Sequence, residues 1–479
     1  MKKLFGTDGM RGEAGRFPLD AATMRAAGRS LAAHLAEKSA REPRIVMGRD
    51  TRESGAWIES AFSEGAREAG AAVESAGIIT TPGVAYLART LPADAGVVIS
   101  ASHNPFADNG IKIFAPTGRK LDDATEKLIE ADIYAERESR SPSPVESPES
   151  DRNGERGVES SDANVAGKID EGVAVEDERR AAALRTQYLN YLVEEVAAGL
   201  ELEGLRVVVD CANGAASELA PVLLTRLGAH VIAVNNSPDG RNINRDCGSL
   251  HLDVLQRLVV EQGAHFGVAY DGDADRALFV DVRGQLVDGD ATLWALAKRM
   301  QERGELAGEC VVATVMSNLG LELALRERGI KLIRTDVGDK YVLEELLRMG
   351  ASLGGEQSGH IIFPRTSLAG DGMITTVNLL RAMRESGEAL DALTEGFMRL
   401  PQVLTNVRVR EKLPFEEVGE IARGVREVEA RLGERGRLLL RYSGTEALAR
   451  VMIEGERQDE IEELAEGLAA VIRQTLGAA

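Results

Sequence analysis

The chain is poor in aromatic residues and cysteine, and it has no long apolar run. Aromatic side chains make up 4% of 479 residues, and the three cysteines, Cys211, Cys247 and Cys310, lie far apart. Without metal-ligand spacing they indicate free thiols rather than a zinc site. No stretch reaches the roughly 20 apolar residues of a membrane helix, and the N-terminus lacks the apolar region of a signal peptide. We therefore expect a cytoplasmic protein with no membrane partner.

Net positive charge is also missing. The chain carries 77 acidic against 57 basic residues, a formal net charge of −20. This balance argues against nucleic acid as a partner, because such binding normally needs a basic face. It also repels anionic small molecules, so a site for one would have to concentrate positive charge locally.

Three stretches of the chain share one plan: an apolar strand, a polar or glycine-bearing loop, an amphipathic helix and two further strands. The first strands are predicted at 44–47, 206–209 and 310–313, and the third strands end at Ser102, at Asp271 and near Glu356. This pattern is a degenerate triplication of an α/β unit. Ligands of open α/β sheets bind outside the carboxyl ends of strands, so one chemical element per repeat at that place indicates a shared cleft.

After about residue 398 the pattern changes to a strand near Val407, a helix over 417–432, a hairpin and a closing helix. These elements predict a separate α+β domain, and the chain length suits about three or four domains. The predicted fold class is α/β, with three related α/β domains and a C-terminal α+β domain around a central cleft. The predicted domains span 1–185, 186–284, 285–398 and 399–479.

One segment breaks the repeat pattern. Residues 136–165 hold seven serines, three prolines, eight acids and four arginines, with no aromatic residue. Such a composition cannot bury enough apolar surface to order itself, so we predict a disordered insertion. A regulatory tail is the alternative to a neutral linker.

Two motifs follow apolar strands and carry the chemistry. Ser-Ala-Ser-His-Asn-Pro at 100–105 places a candidate nucleophile, Ser102, just past Gly-Val-Val-Ile. If this segment is extended, His103 points away from Ser102, so a hydrolase triad is not implied. The remaining interpretations are a turn residue or a stored phosphoserine.

The second motif is an aspartate run, with Asp271, Asp273 and Asp275 in alternation before Arg276. Three carboxylates in this spacing can hold one hard cation through oxygen ligands. A calcium-binding helix-loop-helix is excluded, because its sixth and twelfth positions require Gly and Glu and are Arg276 and Val282 here. A solvated acidic turn is the simpler alternative. Together, the two motifs suggest metal-assisted phosphoryl transfer through a serine.

Both motifs resemble those of the α-D-phosphohexomutase superfamily, and the resemblance spans nearly the whole chain. Phe-Gly-Thr-Asp-Gly-Met-Arg-Gly at 5–12, Gly-Glu-Gln-Ser-Gly-His at 355–360 and Arg-Tyr-Ser-Gly-Thr-Glu at 441–446 are similar to its opening, sugar-recognition and phosphate-binding motifs. The stretches 238–244, 247–249 and 337–342 resemble the bacterial phosphoglucosamine mutase branch in particular. Five ordered motifs rarely co-occur by chance.

The resemblance implies roles for named residues. It implies Ser102 as a phosphoserine that ligates Mg²⁺, one ion per chain, together with Asp271, Asp273 and Asp275. Arg11, His103, Lys112, Arg276 and His360 are the other implied catalytic residues. The implied substrate-binding residues are Glu356, Ser358, Arg441, Ser443, Gly444, Thr445 and Arg450.

Lys112 is a surface lysine by default, since it alternates with apolar neighbours on a short strand. The resemblance implies proton transfer with a sugar hydroxyl, and that role favours a pKa lowered by the surroundings.

The implied activity is an isomerase reaction that converts glucosamine 6-phosphate to α-glucosamine 1-phosphate through a sugar 1,6-bisphosphate, for UDP-N-acetylglucosamine synthesis. A phosphomannomutase or phosphoglucomutase by the same mechanism, a phosphatase and a catalytically silent sugar-phosphate binder are the alternatives. The expected partner is a small hexosamine phosphate, and the resemblance allows a homodimer and an activating kinase.

Three residues depart from the family pattern. Tyr442 and Ala447 replace the usual prolines of the C-terminal loop, and Asp336 stands where a basic residue is common. Loss of the prolines predicts a looser loop that keeps its hydrogen-bond donors. An acid near a phosphate contact is unfavourable unless it points away or pairs with a cation such as Lys340.

Overall fold

The computed structural model describes residues 3–6, 8–38, 41–140, 171–443 and 446–478. The chain divides into two compact units. Unit 1 comprises Met1–Val280 and Thr366–Val377, and unit 2 comprises Asp281–Arg365 and Asn378–Ala479. Each unit has its own buried apolar core.

Unit 1 opens with a mixed α/β region and continues into a second one. Its elements are β1 (Phe5–Gly6), β2 (Gly9–Glu13), α1 (Ala21–Lys38), β3 (Arg44–Arg49), α2 (Gly55–Glu68), β4 (Ala72–Ile78), α3 (Thr81–Thr90), β5 (Ala95–Ile99), β6 (Asp108–Phe114), α4 (Asp123–Arg140), α5 (Glu171–Asn190), a π-helical turn (Tyr191–Val196), β7 (Arg206–Asp210), α6 (Ala216–Arg226), β8 (His230–Val234), a 3₁₀ turn (Gly248–Leu250), α7 (Asp253–Glu261), β9 (Phe266–Tyr270) and β10 (Ala277–Val280).

Unit 2 holds a third α/β region and the C-terminal region. Its elements are β11 (Leu286–Val287), α8 (Gly289–Glu302), a 3₁₀ turn (Ala307–Glu309), β12 (Cys310–Thr314), α9 (Leu319–Glu327), β13 (Lys331–Thr335), α10 (Asp339–Met349), β14 (Gly354–Gly355), β15 (Ile361–Ile362), α11 (Gly372–Ser386, which contains the boundary between the units), α12 (Leu390–Leu393), β16 (Gln402–Arg408), a 3₁₀ turn (Phe415–Glu417), α13 (Gly419–Leu432), a 3₁₀ turn (Gly433–Arg435), β17 (Arg437–Tyr442), β18 (Leu448–Glu454) and α14 (Gln458–Leu476).

The three α/β regions repeat one strand order. Four neighbouring strands run β6-β5-β3-β4 in the first sheet, β10-β9-β7-β8 in the second and β15-β14-β12-β13 in the third. In each sheet, the first strand of the repeat (β3, β7 or β12) lies parallel to two neighbours. The third strand of the repeat (β5, β9 or β14) also pairs with an antiparallel strand. The predicted triplication is confirmed. Parallel strands need crossover helices, which explains why each repeat alternates strand and helix.

The C-terminal region is a separate antiparallel sheet in the order β16-β18-β17. Helices α13 and α14 contribute Ile421, Val428 and a row of apolar residues to the core beneath it. The predicted strand near Val407, the hairpin and the closing helix are therefore confirmed.

The predicted disordered insertion began too early. Residues 136–140 form the last turn of α4. One face of this helix buries Ile129 and Ile133, and charged residues are compatible with a helix when they lie on its solvated face. The remaining residues of that segment, 141–165, lie outside the described residues. The boundaries of the four predicted domains stay predictions.

Within the ranges given above, none of the helices combines the length and the hydropathy that crossing a bilayer requires.

Helices α1 and α2 cross at unusually close range through two glycines. A Cβ on Gly28 would overlap the carbonyl oxygen of Phe62, and a Cβ on Gly65 would overlap the carbonyl oxygen of Arg25. By contrast, Gly467 in α14 has open space around the place of a Cβ. The first two glycines are required by packing, and the third only weakens its helix.

We expect Gly28→Ala to lower the free energy of unfolding by about 1–3 kcal/mol, because the helices would have to separate. Gly467→Ala, the matched control, should raise it by about 0.5–1 kcal/mol through helix propensity. Thermal unfolding of the two variants beside the parent chain measures both. An unchanged midpoint for Gly28→Ala would contradict the close crossing.

Candidate active site

The loop after β5 presents a buried serine in a strained backbone conformation. Ser102 has a φ of +52° and is 1% exposed. Its hydroxyl donates a hydrogen bond to Asp271 Oδ2 at 2.5 Å. A positive φ is unfavourable for serine, so the neighbouring contacts must hold this geometry.

The aspartate run lies on the loop between β9 and β10. Asp271, Asp273 and Asp275 are all buried, and one carboxylate oxygen from each lies within 4.8 Å of the others. Burial, followed by the charges of Asp275 and Asp273, raises the pKa of Asp271 well above its ordinary value. Among the described residues, Asp273 Oδ1 is buried without a hydrogen-bond partner. An oxygen-rich, negatively charged pocket with an unused carboxylate oxygen fits a divalent cation.

Lys112 is fully buried beside these carboxylates. Its Nζ lies 3.0 Å from Asp273 Oδ2, 3.2 Å from Asp275 Oδ2 and 3.2 Å from Asp8 Oδ2. Burial alone would lower the pKa of Lys112, but Asp273, Asp8 and Asp275 together raise it well above its ordinary value. The expectation of a lowered pKa is therefore wrong, because the two buried carboxylates of Asp273 and Asp275 and the partly exposed carboxylate of Asp8 outweigh the loss of hydration.

The opening motif adds more charge at this place. Asp8 pairs with Arg11 and Lys112, and its Oδ1 accepts a hydrogen bond from Lys120 Nζ at 2.5 Å. Burial would raise the pKa of Asp8, but Lys112, Lys120 and Arg11 lower it far below the ordinary value. The expected local concentration of positive charge is therefore present around one carboxylate.

His103 and Arg276 lie next to the serine. The Nδ1 atom of His103 is 3.4 Å from Ser102 Oγ and 3.2 Å from Arg276 Nη1. Burial, then Arg276 and Arg11, lower the pKa of His103, which favours the neutral ring. His103 does not point away from Ser102, because the left-handed backbone at Ser102 turns the segment out of the extended form.

In unit 2, the predicted sugar-recognition loop follows β14. Glu356 Oε1 accepts a hydrogen bond from the backbone N–H of Gly338 at 3.1 Å, and Ser358 Oγ lies 3.4 Å from Glu356 Oε2. His360 is buried, with its Nε2 3.8 Å from Asp339 Oδ2. The structure thus brings Glu356, Ser358 and His360 together with the 337–342 motif.

Asp290 supports this loop from the start of α8. Its Oδ2 accepts hydrogen bonds from the Gln357 side chain at 3.1 Å and from the backbone N–H of Asn318 at 2.8 Å. The backbone N–H of Gly289 donates to the Gln357 carbonyl at 3.0 Å. Burial, then the neighbouring Asp288, raise the pKa of Asp290 to about 7.

The C-terminal hairpin places two arginines side by side. Arg441 on β17 lies directly opposite Arg450 on β18, and Arg450 Nη2 is 3.4 Å from Ser443 Oγ. Like charges opposite each other destabilise a sheet, so an anion between them would be favoured. Gly444 and Thr445, the other predicted residues of this loop, lie outside the described residues.

Tyr442, one departure from the family pattern, is accommodated by packing. Its ring stacks on Phe415 with centroids 4.2 Å apart, and its hydroxyl donates to the Leu413 carbonyl at 2.6 Å. The contact ties β17 to the segment before α13, which offsets the loss of a proline.

Sequence reasoning missed several residues that line or support the site. Asp8 and Lys120 join the charged cluster, and Thr81 donates its hydroxyl to Asp273 Oδ2 at 2.6 Å. Arg52 and Asn244 hold the backbone of the serine loop. Asp8 and Asn244 sit inside motifs that were already singled out, whereas Thr81, Arg52 and Lys120 carry no sequence signal of this role.

The chain matches four domain families over most of its length. These are the phosphoglucomutase/phosphomannomutase alpha/beta/alpha domains I, II and III, over residues 2–140, 186–284 and 288–400, and the C-terminal domain, over 404–471. The four matches follow the order of the three repeated α/β regions and the C-terminal region. The first match contains the serine loop and the second contains the aspartate loop. The chain therefore belongs to the phosphoglucomutase/phosphomannomutase family.

Curated relatives narrow this assignment to one branch of the family. The chain is 48% identical to a phosphoglucosamine mutase of Solibacter usitatus, which covers 99% of each chain. It is 45% identical to that of Syntrophotalea carbinolica, with coverage of 99% of this chain and 98% of the relative. The predicted resemblance to the bacterial phosphoglucosamine mutases is confirmed.

Solved structures share the fold at low sequence identity. A phosphoglucomutase/phosphomannomutase family protein of Burkholderia thailandensis superposes with a TM-score of 0.75 at 22% identity, covering 98% of this chain and 97% of its own. The Aspergillus fumigatus N-acetylphosphoglucosamine mutase, solved with GlcNAc-6P and magnesium, gives 0.60 at 18% identity, covering 92% and 85%.

Asp290 makes stability depend on pH. The folded carboxyl keeps its proton up to about pH 7, whereas the unfolded one loses it near pH 4. Its contribution to stability is therefore complete below about pH 4 and is lost as the pH rises through 7. Asp290→Asn, which retains an acceptor oxygen, should remove this dependence and stabilise the chain at about pH 8 by a few kcal/mol, but not at about pH 4. Unfolding midpoints at both pH values measure the difference.

The control for this comparison is Glu429→Gln, which removes an exposed acid from α13 of the same unit. It should shift the midpoint little at either pH. Equal shifts for both variants would show that Asp290 is not held in its neutral form.

Proposed function

We propose that this chain is a phosphoglucosamine mutase that interconverts glucosamine 6-phosphate and α-glucosamine 1-phosphate through a phosphorylated Ser102. One observation carries the proposal: the Ser102 hydroxyl lies 2.5 Å from a carboxylate of a buried aspartate triad. A nucleophile next to a cation pocket is the arrangement that phosphoryl transfer needs. The branch assignment supports glucosamine phosphate as the substrate.

In the proposed reaction, a free sugar hydroxyl attacks the phosphorus of phosphoserine 102. The new bond joins the sugar oxygen to phosphorus, the bond between phosphorus and Ser102 Oγ breaks, and the proton of the sugar hydroxyl passes in net to Ser102 Oγ. The resulting sugar 1,6-bisphosphate then returns its other phosphate to Ser102 Oγ, which restores the phosphoenzyme. The bisphosphate is therefore both the intermediate and the activator of unphosphorylated chain.

Mg²⁺ is the cation we propose for Asp271, Asp273 and Asp275, and when bound it would stabilise charge on the transferring phosphoryl group. The chain's own residues supply the remaining charge. Lys112 and Arg11 hold positive charge next to the serine loop, and Arg276 orients the neutral His103. The acid-base role of Lys112 stays a prediction.

Residues of unit 2 are proposed to recognise the substrate. Glu356 and Ser358 present oxygens suited to sugar hydroxyls, and His360 is proposed to act near the reacting oxygens. Arg441, Ser443 and Arg450, with Gly444 and Thr445, are proposed to bind the phosphate that is not being transferred. The paired arginines support this, because an anion would relieve their repulsion.

The cytoplasmic location, the homodimer and the activating kinase stay predictions.

Ser102→Ala should abolish phosphorylation of the chain and lower turnover by about 10³-fold or more, because the variant lacks the hydroxyl that donates to Asp271. Binding of the sugar phosphate should change little. Intact-protein mass and titration calorimetry measure the two properties. Ser60→Ala, an exposed serine on α2, is the control and should behave like the parent chain. Retained turnover by unphosphorylated chain would overturn the covalent mechanism.

The sugar is tested by phosphorus NMR of the phosphorylated chain with Mg²⁺. Glucosamine, glucose and mannose 6-phosphates are offered separately, each with a trace of its bisphosphate. We expect glucosamine 1-phosphate to form fastest. Faster conversion of glucose or mannose phosphate would indicate the sister activity, and net release of inorganic phosphate would indicate a phosphatase. No stable phosphate on Ser102 would indicate a silent binder.

A further inference from the structure

We propose that Asn244 is a positioning residue for Ser102: its side-chain amide holds the backbone carbonyls of the serine loop and so sets where the phosphate-carrying hydroxyl lies. The proposal rests on the proposed function, since it assigns a task within that reaction. It also accounts for the 238–244 motif, which marks the branch but has no part in the mechanism above.

The amide of Asn244 reaches two carbonyls of the serine loop. Its Nδ2 donates to the Ser102 carbonyl at 2.8 Å and to the Asn104 carbonyl at 3.1 Å. Asn244 itself is buried, has a φ of +57°, and donates its backbone N–H to the Ala212 carbonyl at 2.9 Å. Asparagine tolerates this left-handed conformation better than most residues, so it can turn its amide toward the loop without added strain.

Arg52 donates to the same two carbonyls. Its Nη2 lies 2.9 Å from the Ser102 oxygen and 2.8 Å from the Asn104 oxygen, and its Nε pairs with Asp50 at 2.9 Å. A carbonyl oxygen has two lone pairs. Asn244 and Arg52 together provide a donor for both lone pairs of each carbonyl, which fixes the direction of the Ser102–His103 and Asn104–Pro105 peptide groups.

The backbone N–H of Ser102 is also held by a hydrogen bond. It donates to Ser100 Oγ at 2.9 Å, and Ser100 Oγ donates to Asp50 Oδ2 at 2.6 Å. A left-handed conformation is unfavourable for serine, so it persists only where surrounding bonds determine it. Asp50, Ser100, Arg52 and Asn244 supply those bonds.

Asn244 also lies where the serine loop meets the aspartate loop. A Cβ on Gly272 would lie 2.5 Å from the Ser102 carbonyl oxygen and 2.9 Å from Asn244 Nδ2. Gly272 directly follows Asp271, the acceptor of the Ser102 hydroxyl. Movement of the Asn244 amide would therefore alter the position of the Ser102 hydroxyl relative to the cation pocket, and not only the stability of the serine loop.

The rest of the motif contacts the loop that carries Arg52. The Gly240 carbonyl accepts a hydrogen bond from the backbone N–H of Glu53 at 2.9 Å, and Arg241 Nε pairs with the Glu53 carboxylate at 2.7 Å. The motif thus supports the serine loop both directly, through Asn244, and through the segment that positions Arg52.

The test is Asn244→Gly, which permits the left-handed backbone and removes the side chain with its amide. Asp246→Gly is the matched control, because Asp246 is also left-handed, with a φ of +55°, but is exposed. We expect Asn244→Gly to lower kcat by about 10- to 100-fold with KM within about threefold, since small misplacement of a reacting group has effects of this size. Asp246→Gly should match the parent chain in both constants.

Backbone amide exchange gives a readout that does not depend on activity. In Asn244→Gly, peptides covering residues 100–106 should exchange at least about tenfold faster, while peptides of the sheet core stay protected. Asn244→Asp, which has the same shape but offers a second acceptor to the carbonyls, should exchange faster still. Both effects should be absent in the control.

Coupling to Arg52 is tested by Arg52→Lys alone and with Asn244→Gly. If the two residues hold one pair of carbonyls, the double variant should lose much less kcat than the product of the single losses. If Arg52→Lys does not fold, the comparison of Asn244→Gly with Asn244→Asp and the control still decides.

Unchanged exchange over 100–106 together with unchanged kcat in Asn244→Gly would overturn the proposal. So would a loss seen only in KM, which would make the motif part of substrate binding. If the parent chain lacks mutase activity, the proposed function fails by itself, and the exchange comparison alone then decides whether Asn244 holds the serine loop.

Discussion

The burial of charge around Ser102 is the constraint on which the rest of the site depends. Three carboxylates of one loop are removed from water together, and Asp8 is added by the opening motif. Such a group is unfavourable unless cations accompany it. Lys112, Lys120 and Arg11 supply positive charge around Asp8, and the carboxylate oxygens of the aspartate run make the pocket suited to a divalent ion. The high pKa of Asp271 and the high pKa of Lys112 are two consequences of the same crowding.

The repeated α/β unit explains how this crowding is reached. The serine follows the third strand of the first repeat, and the aspartate run follows the third strand of the second. Because the strand order is the same in both sheets, each chemical loop leaves its sheet at an equivalent point. Two copies of the same α/β unit can thus present a nucleophile and a cation pocket. In the third repeat, Glu356 follows the equivalent strand.

The C-terminal hairpin solves a different problem. A chain with a net charge of −20 repels an anionic sugar phosphate at long range, so attraction must be local. We propose that the two arginines opposite each other on β17 and β18 provide it, and Tyr442 packs on Phe415 beside them. Arg441, which carries the charge, and Tyr442, which makes the packing contact, are therefore neighbours on β17.

The sequence by itself determined the repeat, the chemical loops and the family, because these depend on local periodicity and on short motifs. It identified Ser102, the three aspartates and Lys112 as candidates. Only the tertiary structure decided that the pKa of Lys112 is raised, that His103 turns toward Ser102, and that Arg52, Thr81 and Asn244 support the site. Asn244 meets Ser102 across 142 residues of chain, Thr81 meets Asp273 across 192 and Arg52 meets Ser102 across 50, and such separations leave no periodic signal. The turn of His103 depends on the left-handed backbone at Ser102, which no side-chain pattern predicts.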